Sequence, residues 1–167
     1  MIDLATAAII AKTAADAVGA FDKIYRGFAD FVSKKEPTAS NLPPPDFAYM
    51  DSPGDQALVA KSRRTGENYQ VVSYEELSRR LDTSDREFIE TITRSMTSYQ
   101  RQWSTVFEQR SMASGIEIAR LDAQLDYIAK QIADCLIHIL DFVQRIGLRL
   151  DDHYHMARHI SKRYLEK

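Results

Sequence analysis

IEIARLDAQLDYIAKQIADCLIHILDFVQRI, residues 116–146, decides the architecture. Ile118, Leu121, Leu125, Ile128, Ile132, Cys135, Ile139, Phe142 and Ile146 recur at alternating steps of three and four, the period of a helix that buries one face. A second series, Ala129, Ala133, Leu136, Leu140 and Val143, runs beside the first. Two adjacent apolar seams require two neighbours, so this helix is predicted to lie near the centre of at least three.

On its N-terminal side, Ile89, Ile92, Met96, Tyr99, Trp103 and Val106 keep the same alternation and predict a second long helix over 85–112. Ser84-Asp-Arg-Glu87 and Ser114-Gly-Ile-Glu117 carry the Ser-x-x-Glu pattern of a capping box, which places helix starts there. The same pattern at Ser73-Tyr-Glu-Glu76 opens a short helix through about Leu81. On the C-terminal side Gly147 is placed to stop the central helix. Asp151 or Asp152 then caps a last helix over 152–166, with Met156, Ala157, Ile160 and Tyr164 on one side.

Residues 2–35 contain no proline, and Ile10, Ala14, Ala17, Phe21, Ile24, Phe28 and Phe31 form another helical stripe. Lys12, Asp16, Lys23, Arg26, Asp30 and Lys34 gather on the opposite side. All five prolines fall within the next stretch, where their rings fix φ and remove amide donors, so 36–56 reads as a linker. Beyond it, Ala57–Ser62 and Asn68–Val72 flank a turn containing Gly66 and predict a hairpin whose apolar face is Leu58, Ala60, Tyr69 and Val71. The fold class is therefore mainly α: an elongated bundle of three to four long helices with an inserted β-hairpin and one short helix. Its parts are an N-terminal amphipathic helix at 1–35, a proline-rich linker at 36–56, hairpin and short helix at 57–82, and a helical hairpin plus C-terminal helix at 83–167. The last part is expected to pack with 1–35 as one domain.

Composition bounds the function. A chain of 167 residues with 44% apolar side chains buries enough surface to fold without disulfides or a structural metal. Its single cysteine, Cys135, excludes an internal disulfide and points to a reducing cytoplasm. No basic segment precedes the apolar N-terminus as a signal peptide would require. With 22 basic against 24 acidic side chains, the electrostatic argument for a nucleic-acid partner is missing.

Few residues point to chemistry. The six glycines stand singly, so no phosphate-binding loop can be written, and GxSxG, HExxH and CxxC are absent. Asp151, His155 and His159 form an i, i+4, i+8 row and are the candidate metal ligands, although the wheel turns both histidines toward solvent. His138 lies between Asp134 and Asp141, but in a row of alternating charges with the character of a solvated face. No cofactor is implied.

The reading is a non-enzymatic helical interaction protein: an adaptor, regulator or assembly subunit. Phe21, Ile24, Phe28 and Phe31 need a cover, and the linker lets their helix dock on its own chain or another; a homo-oligomer is expected. Lys61, Arg63 and Arg64 are expected to project from the hairpin tip toward an acidic partner surface. Two alternatives remain. The apolar first twenty residues allow a membrane-active effector, because an assembled pore can hide Lys12 and Asp16, and the histidine row allows a small metal-dependent enzyme.

Overall fold

The computed structural model describes residues 2–35, 39 and 42–167, and for residues 22–30 the helical backbone alone. Along the chain run α1 (Leu4–Ser33), β1 (Phe47–Ser52), a 3-10 turn (Pro53–Asp55), β2 (Ala57–Ser62), β3 (Asn68–Ser73), α2 (Tyr74–Arg80), α3 (Thr83–Met112), α4 (Ile116–Arg145) and α5 (Asp152–Leu165). The fold is mainly α and elongated. Three of its helices have 30 residues each, a length of about 45 Å at 1.5 Å per residue.

The central helix is α4, as its two seams demand. Leu125, Ile132, Leu136, Ile139 and Leu140 are fully buried, and the helix packs against α1, α3 and α5. From α1, Ile10, Ala14 and Phe21 enter the same core. Phe21 shares a small hollow with Ala129, Ala133, Ile160 and Tyr164, while Phe31 meets Trp103 edge to face at 5.1 Å. Of the two docking modes open to this stripe, its own chain or another, Phe21 and Phe31 take the first, and those two residues give no reason to expect a homo-oligomer. The side chains of Ile24 and Phe28 lie outside the described residues.

Polar contacts fix the helix ends. Asp3 caps α1 by accepting from Thr6 N–H at 2.8 Å, and Ser73 caps α2 by accepting from Glu76 N–H at 3.1 Å. The start of α3 is set by Asp82 and Asp85 in a reciprocal box, not by Ser84, and α4 starts after Gly115 with no side-chain cap. The Ser-x-x-Glu pattern therefore located these two helices but misassigned their capping atoms. At the end of α4, Gly147 has φ of +91°, and a Cβ there would lie 1.8 Å from Nη1 of Arg80, which donates to the Ile146 carbonyl at 3.0 Å. The left-handed conformation favours glycine, and a side chain here would also displace the Arg80 guanidinium from its carbonyl.

The expected linker holds a strand. Phe47–Ser52 pairs antiparallel with β2, so the hairpin becomes a three-stranded sheet in the order β1-β2-β3. Pro45 and Pro53 bound this strand without interrupting it. The apolar face of β3 also differs from expectation: Leu58 pairs with Val72 and Ala60 with Gln70, which puts Val72 inside and leaves Val71 exposed. An extra residue, Tyr69, sits in a bulge opposite Ala60 and Lys61. The inner face of the sheet packs on α1.

Leu136→Ala removes a fully buried side chain from the centre of α4 and should destabilise the protein by about 2–5 kcal/mol through lost burial and a residual cavity. A loss below about half a kcal/mol in urea unfolding would show that the site relaxes as a peripheral one does.

Candidate interaction site

Sheet, α1 and the α4–α5 turn meet around one carboxylate. Asp151 caps α5 by accepting from His153 N–H at 2.8 Å through Oδ1. Its Oδ2 accepts from the N–H groups of Asp46 and Phe47 at 3.0 and 3.3 Å, fastening the start of β1 to the start of α5. A second joint forms two residues earlier. The Tyr49 hydroxyl accepts from Arg149 N–H at 2.7 Å, and the Gln70 side chain accepts from the same N–H at 2.9 Å and donates to the Gly147 carbonyl at 2.9 Å. Burial pushes the Tyr49 phenol up to about 12, so it remains a neutral hydroxyl through the physiological range.

A third acceptor holds the hairpin turn. The Asp46 carboxylate takes the hydroxyls of Tyr69 and Ser62 and the N–H of Arg64, while its carbonyl accepts from Arg63 N–H at 2.7 Å. The Tyr69 hydroxyl is the largest influence keeping the Asp46 carboxyl below its ordinary range. The β3 bulge carries Tyr69 into this contact and sets its ring 4.7 Å from that of Phe47. Lys61, Arg63 and Arg64 are exposed as expected of a hairpin tip, while the backbone of the turn is pinned to residues before β1 and Arg63 and Arg64 line hollows shared with the α4–α5 turn.

These joints leave a cleft of about 370 Å³ between α1, β1 and the α4–α5 turn. Its floor is small and apolar on the α1 side, at Ala15, Val18 and Gly19, and is closed by Val143 and Tyr154; Arg63 and Arg149 stand on its lining. Across Phe47 and Leu150 it adjoins a second hollow of about 390 Å³, lined by Arg64, Tyr69, Arg149 and Asp152. Arg63, Arg64 and Arg149 are exposed, and none of the three guanidiniums has an ion-pair or hydrogen-bond partner among the described residues. Lys61 is exposed on the opposite, outer face of β2 and does not join them.

The two nearest arginines on the flanking helices are engaged. Arg145 pairs with buried Asp85 at 2.6 Å and covers the Phe142 ring, and Arg158 pairs with Asp141 at 2.9 Å. Only Arg149 of these three is open to an outside group.

The structure does not assemble the metal row. The Asp151 carboxylate is turned to three backbone amides, His155 and His159 are exposed, and among the described residues no group of three His, Cys, Asp or Glu side chains is placed to hold a metal ion. His138 is exposed with Nδ1 on the Asp134 carbonyl, whereas Cys135 is buried beside it. Burial raises the Cys135 thiol to about 11, which keeps it protonated and removes a Cys–His nucleophile. Leu4–Phe21 is the helical window among the described residues long and apolar enough to cross a membrane, yet Ile10, Ala14 and Phe21 within it are spent on the core.

Comparison of the chain with known protein families, with curated proteins and with solved structures found no match.

Asp151→Ala leaves three amides without their acceptor and should cost about 2 kcal/mol or more. Asp151→Asn, with one acceptor oxygen in place of two, should fall between alanine and the native residue in thermal unfolding; an alanine variant as stable as the native chain would overturn the joint. Iodoacetamide at pH 8 should label Cys135 in urea and leave it largely unlabelled in the native protein, since the thiol is both buried and protonated there.

Proposed function

We propose that the chain is a non-enzymatic interaction module that receives a carboxylate-bearing segment of another protein at the rim formed by Arg63, Arg64 and Arg149. The supporting observation is that three guanidiniums, two from the hairpin turn and one from the α4–α5 turn, stand around two adjoining hollows with no ion-pair or hydrogen-bond partner among the described residues. Arginine is suited to this role because its planar fork binds a carboxylate through two parallel hydrogen bonds. Their backbones are immobilised by Asp46, Tyr49 and Gln70, so less freedom is lost when a partner docks.

The two carboxylates at the base of the rim are held chiefly by other donors, with Asp46 also feeling the charge of Arg64. Asp46 and Asp151 are each saturated by hydrogen bonds from backbone and hydroxyl donors. An interaction protein also accounts for a molecule that invests its buried polar contacts in rigid joints and places its open charges outside.

Replacing Arg63, Arg64 and Arg149 together by glutamate should leave the melting temperature within a few degrees, since all three are exposed and unpaired. Recovery of the native partner from the protein's own cells, cross-linked at low ionic strength, should fall at least tenfold for the triple variant. Equal recovery of the same partner by both proteins would refute the assignment of the rim.

A further inference from the structure

The cleft lies along a strand edge that no other strand covers. In the order β1-β2-β3, β1 is terminal, and its hydrogen-bonding direction alternates along the strand. The Asp46 carbonyl accepts from Arg63 on the β2 side, whereas the Phe47 N–H turns the other way to Asp151. Residues 48, 50 and 52 therefore bond to β2, and residues 47, 49 and 51 present their backbone groups to the open edge. Asp151 occupies only the first of these groups. Native edges are usually blocked by proline, a charged side chain or a bulge, and Phe47–Ser52 contains neither proline nor bulge and one charge, Asp51.

The cleft begins where the edge opens, with Phe47, Ala48 and Tyr49 on its lining. A strand laid on this edge would alternate its side chains, and those on the inner face would enter the cleft between α1 and Tyr154. At the Gly19 position on α1, a Cβ would meet no atom within 4 Å, so the space there is open. The cleft volume of about 370 Å³ falls within the roughly 300–1,000 Å³ range of sites that enclose a ligand group.

We propose that the ligand of this site is an extended peptide segment that adds to the free edge of β1, buries one bulky apolar side chain in the cleft and sets a neighbouring carboxylate on Arg63 or Arg149. Main-chain hydrogen bonds to Tyr49 and Asp51 supply binding that is indifferent to sequence, while the cleft and the guanidiniums select the side chains. Exposed Asp16 on the α1 side and Asp152 beyond Leu150 confine the acidic positions of the segment to the points where it passes the arginines. This inference rests on the arginine rim and adds to it a conformation, a strand and a pocket residue.

The test is titration of the ¹⁵N-labelled full chain with a ten-residue peptide in which glutamate and threonine alternate around one central phenylalanine. Two control peptides carry serine for the phenylalanine or lysine for the glutamates. The acidic aromatic peptide should shift the amides of Tyr49 and Asp51, and each control should bind at least tenfold more weakly. Gly19→Leu fills the cleft at a helical position where a side chain replaces glycine, and it should weaken binding tenfold without lowering the melting temperature. Asp51→Pro removes an edge N–H that β2 does not use and should weaken binding by a similar factor. Binding unchanged in both variants, with shifts confined to Arg63, Arg64 and Arg149, would overturn edge addition while leaving the rim in place. No amide shift at millimolar peptide would also overturn edge addition, and partner recovery by the triple glutamate variant would still decide the rim separately.

Discussion

A helix apolar on two adjacent seams cannot be covered by one neighbour, and most of this structure follows from satisfying α4. The seam of Leu125, Ile132 and Ile139 and the seam of Ala129, Ala133, Leu136 and Leu140 turn toward different partners, and all seven residues are buried. Packing against α3, α5 and α1 supplies the cover. The small residues Ala129 and Ala133 leave room for Phe21 and Tyr164, large side chains brought by two different helices. Once α1 is committed to that core, its opposite side is free to support the inner face of the sheet.

Docking the sheet needs more than apolar contact, because a three-stranded sheet of six-residue strands has little inner surface to bury. Asp151 supplies the missing constraint. It joins α5 to β1 across 105 residues of sequence, at the point where α4 has just ended in the glycine turn. Tyr49 and Gln70, from the two outer strands, clasp the same turn from the other side. The cleft is the space these contacts leave between a narrow sheet and an α1 surface of alanine and glycine. It exists because Ala15, Gly19 and Ala20 carry too little side chain to fill it.

What the sequence disclosed follows the range of each interaction. The long helices were legible because a period of 3.6 repeats over 30 residues and averages out local noise. Asp151 was legible as a cap, a contact over two residues; its hold on Asp46 and Phe47 was not, because nothing local marks a contact 104 and 105 residues away. The strand Phe47–Ser52 was concealed by the prolines around it, although its Phe-Ala-Tyr-Met core has the aromatic content of a strand and could have been found. The bulge at Tyr69 escaped because one inserted residue reverses the alternation beyond it. Of the site residues, Arg63 and Arg64 were visible as a charged tip. Arg149 was indistinguishable from Arg145 and Arg158, whose carboxylate partners appear only in three dimensions.

The sheet has two open edges, and their difference favours β1 as the one to take the proposed strand. Along β3, the bulge at Tyr69 breaks the regular spacing of edge groups, and the strand runs directly into α2, where Tyr74 N–H is bonded to the Gln56 carbonyl. A partner strand there would meet an edge interrupted by the bulge, and only Tyr69 of β3 reaches one of the two hollows. Along β1 the pairing with β2 is regular through six residue pairs, the cleft adjoins the strand, and Arg63 and Arg149 stand over it. The Asp151 contact to Phe47 occupies the first edge donor and so limits how far an added strand can slide. The contact that docks the sheet thereby also limits the register open to the strand proposed for this edge.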